Sequence, residues 1–166
     1  MLKRTLEEFG VERERITVEV KEQTLQEHFE TARTEISKLH DMGFKVAIDD
    51  FGAGNSSLAF LDRLPVDGIK LARSFVGYLG ETSKRNCLVR AVVELALEFD
   101  LEVIAVGVET ETQCDLLRSF GCELAQGDLF SQPVCGRDKE FIGSQFRYEG
   151  RTNASADDPN ACLLQA

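Results

Sequence analysis

Short strand-like runs alternate along this chain with longer segments whose apolar residues fall at helical spacing. Arg15-Ile16-Thr17-Val18-Glu19-Val20 alternates and is β-branched, so it reads as a strand. Leu25, Phe29, Ala32, Ile36 and Leu39 then step by four, three, four and three, which predicts a helix with one apolar stripe along residues 25 to 42 and a stop at Gly43. The pattern repeats with the strand Lys45-Val46-Ala47-Ile48, a Gly-rich turn, a helix through Leu58, Leu61 and Leu64 that Pro65 ends, and the strand Gly68-Ile69-Lys70-Leu71. A helix from about Thr82 to Phe99 leads to the strand Glu102-Val103-Ile104-Ala105. Thr110-Glu111-Thr112-Gln113 spells a capping box for the next helix, and Glu123-Leu124-Ala125 is a last short strand. Five strands separated by helices imply an α/β fold of parallel βαβ units with right-handed crossovers.

The remaining segments and the charge balance narrow the function classes. From about residue 147 the chain turns polar and aperiodic, so residues 1–146 are expected to form the folded domain and 147–166 a disordered tail. Nineteen Lys plus Arg against 29 Asp plus Glu give a net charge of -10, which repels phosphate backbones and argues against duplex nucleic acid as a partner. A small phosphorylated ligand requires local reversal of that charge by a cation, a lysine or a helix N-terminus. No apolar run approaches the roughly 18 residues of a membrane span and the N-terminus is too acidic for a signal peptide, so no membrane insertion and a cytoplasmic location are expected. Cys87, Cys114, Cys122, Cys135 and Cys162 form an odd set without a Cys-x-x-Cys pair and read as reduced structural thiols. His28 and His40 lie twelve apart on one expected helix, too distant to share a metal, and read as surface or rim residues.

Polar residues recur where the apolar strands end: Glu19, Asp49 and Asp50, Lys70, Glu109 and Gln126. In parallel α/β folds these ends share one side of the sheet, so the residues can converge there. Three carboxylates in one place repel unless something positive neutralises them, and an oxygen-only set without His or Cys selects magnesium, manganese or calcium over zinc. Such an ion can lower the pKa of a water and hold a phosphate oxygen, the setting for phosphoester hydrolysis. Spacing alone equally allows Asp49-Asp50 to cap the turn Phe51-Gly52-Ala53-Gly54, Lys70 to be a snorkelling edge residue, and Glu19 and Glu109 to be surface acids.

Asp49-Asp50-Phe51-Gly52-Ala53-Gly54-Asn55-Ser56-Ser57-Leu58 strongly resembles a signature of the EAL domain family, the bacterial phosphodiesterases of cyclic di-GMP. Val18-Glu19-Val20-Lys21-Glu22, Ile69-Lys70-Leu71, Ala105-Val106-Gly107-Val108-Glu109-Thr110 and Gln126-Gly127-Asp128-Leu129-Phe130-Ser131-Gln132-Pro133 resemble further family segments in the right order. The resemblance covers roughly residues 5 to 135 and implies an incomplete TIM-type (β/α) barrel, the C-terminal part of an EAL barrel with about five parallel strands. It also implies that Glu19, Asp49 and Asp50 are ligands of Mg2+ or Mn2+ and that Lys70 and Gln126 are catalytic contacts beside the attacking water and phosphate. Glu22 would anchor the loop that begins at Asp50, and Glu109 would take a supporting role.

The departures set the functional expectation. No Glu-Ala-Leu occurs, so the signature glutamate is absent together with the arginine that follows it. Val106 stands where the family has its proposed general base glutamate, and Ala72 where the lysine motif continues with aspartate. A valine neither accepts a proton nor binds a metal, and losing one well-placed carboxylate commonly costs orders of magnitude in rate. The expectation is therefore a catalytically inactive member with weak or absent metal and cyclic di-GMP binding. At 166 residues the chain is short for an eight-stranded barrel, typically about 250, and the open edges are expected to be covered by a second copy or a partner protein. The alternative is a phosphodiesterase active only when a partner supplies the missing strands.

Overall fold

The computed structural model describes residues 2–54 and 61–132. Five strands, β1 (Thr17–Lys21), β2 (Lys45–Phe51), β3 (Gly68–Leu71), β4 (Glu102–Val106) and β5 (Leu124–Gln126), form one sheet in the order β1-β2-β3-β4-β5. Every neighbouring pair is parallel. A doubly wound sheet reverses its strand order at a switch point, whereas a (β/α) barrel lays each new strand beside the last. The sequential order here is that of an incomplete TIM-type barrel.

The helices are α1 (Leu2–Phe9), α2 (Glu22–Glu27), α3 (Phe29–Asp41), α4 (Arg73–Val76), α5 (Ser83–Glu98) and α6 (Glu111–Ser119), with a 3-10 turn at Arg13–Arg15. Helix starts follow the residues that signal them. The Thr110 hydroxyl accepts from Gln113 N–H at 3.3 Å while Gln113 Oε1 accepts from Thr110 N–H at 3.1 Å, a complete capping box. Thr82 caps α5 by accepting from Arg85 N–H.

Two segments depart from the sequence pattern. The single helix expected over residues 25 to 42 starts earlier, at Glu22, and is broken at His28, whose φ of -136° and ψ of 44° lie outside the helical region. The apolar stripe nevertheless crosses the break, since Leu25 and Ile36 are each 1% exposed. Of the helix expected through Leu58, residues 55–60 lie outside the described residues, and Leu61 and Leu64 are buried in a turn. The tail at 147–166, Cys135 and Cys162 also lie outside them. Cys114 and Cys122 are buried and Cys87 is exposed, and none of the three is in a disulfide. His40 Nε2 lies 2.8 Å from Asp67 Oδ2, which also accepts from Val46 N–H, so one carboxylate ties α3 to β2. Among the described residues no helix is long and apolar enough to cross a membrane.

Strand alternation gives the sheet two unlike faces. Val46, Ile48, Ile69, Leu71, Val103 and Ala105 point one way and are at most 3% exposed. They form the core with helix residues such as Leu25, Ile36, Val93 and Leu117. Burial of each large aliphatic side chain contributes about 1.5–3 kcal/mol. The opposite face is only partly covered: Ile104, Val106 and Leu124 are half-buried on it.

Candidate functional site

The strand register places the polar strand ends on that second face. Glu19 pairs with Ala47 and Lys21 with Asp49, so these side chains share one side of β1 and β2. Ala47 pairs with Gly68, which puts Lys70 on the same side of β3. Lys70 pairs with Ile104, and Val106 with Gln126, which carries the face across β4 and β5. All these positions lie toward the C-terminal ends of parallel strands, the side on which α/β barrels build sites.

Asp50 would leave this face under strict alternation, because it follows Asp49 directly. The register shifts between Ile48 and Phe51: Ile48 pairs with Ile69 and Phe51 with Leu71, so the two aspartates of β2 face Lys70 alone on β3. This is a β-bulge, and Asp50 adopts a φ of 56°, in the left-handed region. The bulge returns Phe51 to the core at 2% exposure and leaves Asp50 with the Glu19 face. The sequence reading ended β2 at Ile48; the observed strand runs through both aspartates to Phe51.

Two lysines meet the carboxylates. Lys70 Nζ donates to Glu19 Oε1 at 2.9 Å, and the Lys70 side chain is 14% exposed. Lys21 Nζ lies 3.3 Å from Asp50 Oδ2. Beside this pair, the buried Glu22 accepts from Gly52 N–H through Oε2 at 3.0 Å. Lys21 and Glu22 thus hold two points of the turn in which Ala53 N–H donates to Asp50 O. Gly52 has a φ of +92°, and a Cβ there would lie 2.5 Å from the Phe75 ring.

Toward β5, Gln126 is exposed at the strand end and its carbonyl accepts from Gly107 and Val108 N–H. Glu109 follows β4, where its carboxylate pairs with Arg73 and its N–H donates to Gln113 Oε1. Ala72 is buried, donates to Phe51 O and caps α4. Gly107, with a φ of +81°, lies directly under the Arg73 side chain.

A divalent cation does not fit the carboxylates as they stand. Among the described residues no three His, Cys, Asp or Glu side chains are gathered closely enough to hold a metal ion. Glu19 and Asp50 share a face with Asp49 but are each engaged by an ammonium group.

The sequence reading did not select Lys21 or Arg73. Lys21 was available from parity, since it stands two residues after Glu19 on an alternating strand. Arg73 was not, because α4 spans four residues and leaves no periodic signal.

Residues 1–133 match the EAL domain family model. The chain is 37% identical over 133 residues to the cyclic di-GMP phosphodiesterase NbdA of Pseudomonas aeruginosa, covering 80% of this chain and 17% of that protein. Its fold superposes on the crystal structure of the EAL domain of Mycobacterium smegmatis DcpA with a TM-score of 0.78 at 42% identity, covering 85% of this chain and 63% of that one. A manganese and cyclic di-GMP complex of Klebsiella pneumoniae BlrP1 matches with a TM-score of 0.75 at 34% identity, over 80% of this chain and 34% of that one. The chain spans about a fifth of the length of curated relatives such as NbdA. A sequential parallel sheet, a bulged Asp-Asp strand end and a match over residues 1–133 have one common account: the chain belongs to the EAL domain family.

Proposed function

We propose that this chain is an EAL-domain module of cyclic di-GMP signalling in the bacterial cytoplasm that does not hydrolyse the nucleotide and serves as an interaction or weak nucleotide-binding module. The observation that carries this reading is Val106. It ends β4 on the polar face, paired with Gln126 and one strand away from Lys70, where its isopropyl group offers neither a lone pair nor a proton acceptor. Lys70 and Gln126 remain as donors toward a phosphate, and Glu19, Asp49 and Asp50 as a face for a cation whose binding, Mg2+ or Mn2+, is weak or absent. Glu22 anchors the Asp50 turn, and Glu109 supports the segment after β4 through Arg73.

Incubation of the purified chain with cyclic di-GMP and Mn2+ or Mg2+, followed by chromatography, is expected to yield no linear pGpG above buffer. Turnover in the ordinary enzyme range of about 1–1,000 per second would overturn the reading. Equilibrium dialysis with labelled cyclic di-GMP is expected to give an affinity weaker than micromolar, and tighter binding would contradict it.

A second reading, a phosphodiesterase completed by a partner, is favoured by one observation. Within the described residues β1 and β5 each pair on one side only, which leaves open edges beside the half-buried Ile104 and Leu124. Either a second copy or a partner protein would cover them. Light scattering is expected to give at least twice the 18.5 kDa chain mass, and co-expression with the remaining EAL strands would restore turnover only if this second reading holds.

A further inference from the structure

We propose that Lys21 is a built-in cation of the acidic face, supplying beside Asp50 the positive charge that a divalent ion would otherwise bring and keeping such an ion out. The proposal rests on the reading of the Glu19, Asp49 and Asp50 face as the ligand-facing surface, and not on whether the chain hydrolyses anything.

Three observations converge on Lys21. It is the last residue of β1, opposite Asp49 in register, with its ammonium 3.3 Å from Asp50 Oδ2. The bulge and the left-handed φ of Asp50 keep that carboxylate on the Lys21 side of the sheet. The next residue, Glu22, is buried and grips Gly52 N–H, so an anchor lies one residue from Lys21 and two from Asp50. Lys21 and Asp50 are themselves exposed, and ion pairs of that kind contribute little to stability. The pair instead determines which other charges can approach.

The electrostatic consequence follows from the formal charges. Glu19, Asp49 and Asp50 carry three negative charges, and Lys21 and Lys70 return two, leaving one. A dication approaching Asp50 meets a carboxylate already matched by the Lys21 ammonium, and Glu19 on the same face is matched by Lys70. In a water-like dielectric, a monovalent cation about 4 Å from a dication weakens its binding by roughly thirtyfold. Lys70 is largely buried and already engaged with Glu19, so the exposed Lys21 is the ammonium whose removal changes the face with least disturbance to the fold.

The test is Mn2+ titration of the full chain, followed by electron paramagnetic resonance and calorimetry without nucleotide, with circular dichroism to establish folding. The wild type is expected to show no saturable Mn2+ binding below millimolar. Lys21→Gln is expected to gain a site at least tenfold tighter, lost again when Asp50→Asn is added. Lys21→Arg, which keeps the charge, is expected to behave as the wild type. Wild-type binding as tight as that of K21Q, a folded K21Q that gains nothing, or a K21R that gains as much as K21Q would each overturn the proposal. None of these readouts uses hydrolysis, so a chain found active on cyclic di-GMP would end the functional reading above while leaving this one to stand or fall by the titration.

Discussion

Lys70 on β3 reaches across β2 to place its ammonium 2.9 Å from Glu19 Oε1 on β1. Adjacent strands lie about 4.8 Å apart, so the pair bridges two strand spacings, within reach of an extended lysine. The crossing is diagonal: Ala47 is in register with Glu19 and with Gly68, two residues before Lys70, so the lysine passes beside the Ala47 methyl group on its way to β1. That methyl group and the bare Gly68 leave the path open.

Ala47→Leu is therefore expected to obstruct this crossing. Ala47 is 3% exposed, and extra methylenes in a packed position typically cost about 1–3 kcal/mol. A urea titration should show the midpoint lowered with the slope unchanged. A variant as stable as the wild type would mean that the face above Ala47 has unfilled room.

The Glu22 contact to Gly52 gives a second expectation. Removing the acceptor of a shielded N–H costs about 1–3 kcal/mol, so Glu22→Ala should destabilise the chain by that amount. Glu22→Gln, which keeps a carbonyl acceptor, should lose less. Hydrogen exchange at the Gly52 amide separates the cases: marked acceleration in E22A and a smaller one in E22Q.

At Gly52 itself the backbone makes the demand. Its φ of +92° is unfavourable for any L side chain, and an added Cβ would lie 2.5 Å from Phe75 Cε2. Gly52→Ala is expected to cost about 2 kcal/mol or more, seen as a lowered melting temperature. An unchanged melting temperature would show that the turn relaxes to another conformation.

The cap of α6 supplies a smaller effect. Thr110→Ala removes the side-chain half of the capping box and should cost about 1 kcal/mol in urea unfolding, while Thr110→Ser should recover most of it. Equal losses in both variants would place the role of Thr110 outside the cap.

Much of the fold was legible because its signals are local. The β-branched runs at 17–20 and 45–48, the stripe through Leu25 and Ile36, and the Thr110-to-Gln113 spelling each carry a period or a cap in a few residues, and each lies in the expected element. The break at His28 was not legible, since no glycine or proline marks it. For the face, parity along each strand brings Glu19, Asp49 and Lys70 to one side once the register is known. Asp50 is the exception, because a bulge is a property of two strands and not of one. Lys70 is expected on this face from its strand, but its direct pairing with Glu19 is not legible, because the two are separated by 51 positions and meet only through the sheet.

The extra residue in β2 also limits how this chain can vary. Upstream of it, even-numbered side chains such as Val46 and Ile48 enter the oil; downstream, the odd-numbered Phe51 does. Losing one residue at 49 or 50 would restore a regular ladder with a single acid on the open side, whereas losing one anywhere else in the strand would turn a greasy residue toward water. Length changes here are consequently confined to a single spot, and the doublet of aspartates marks it.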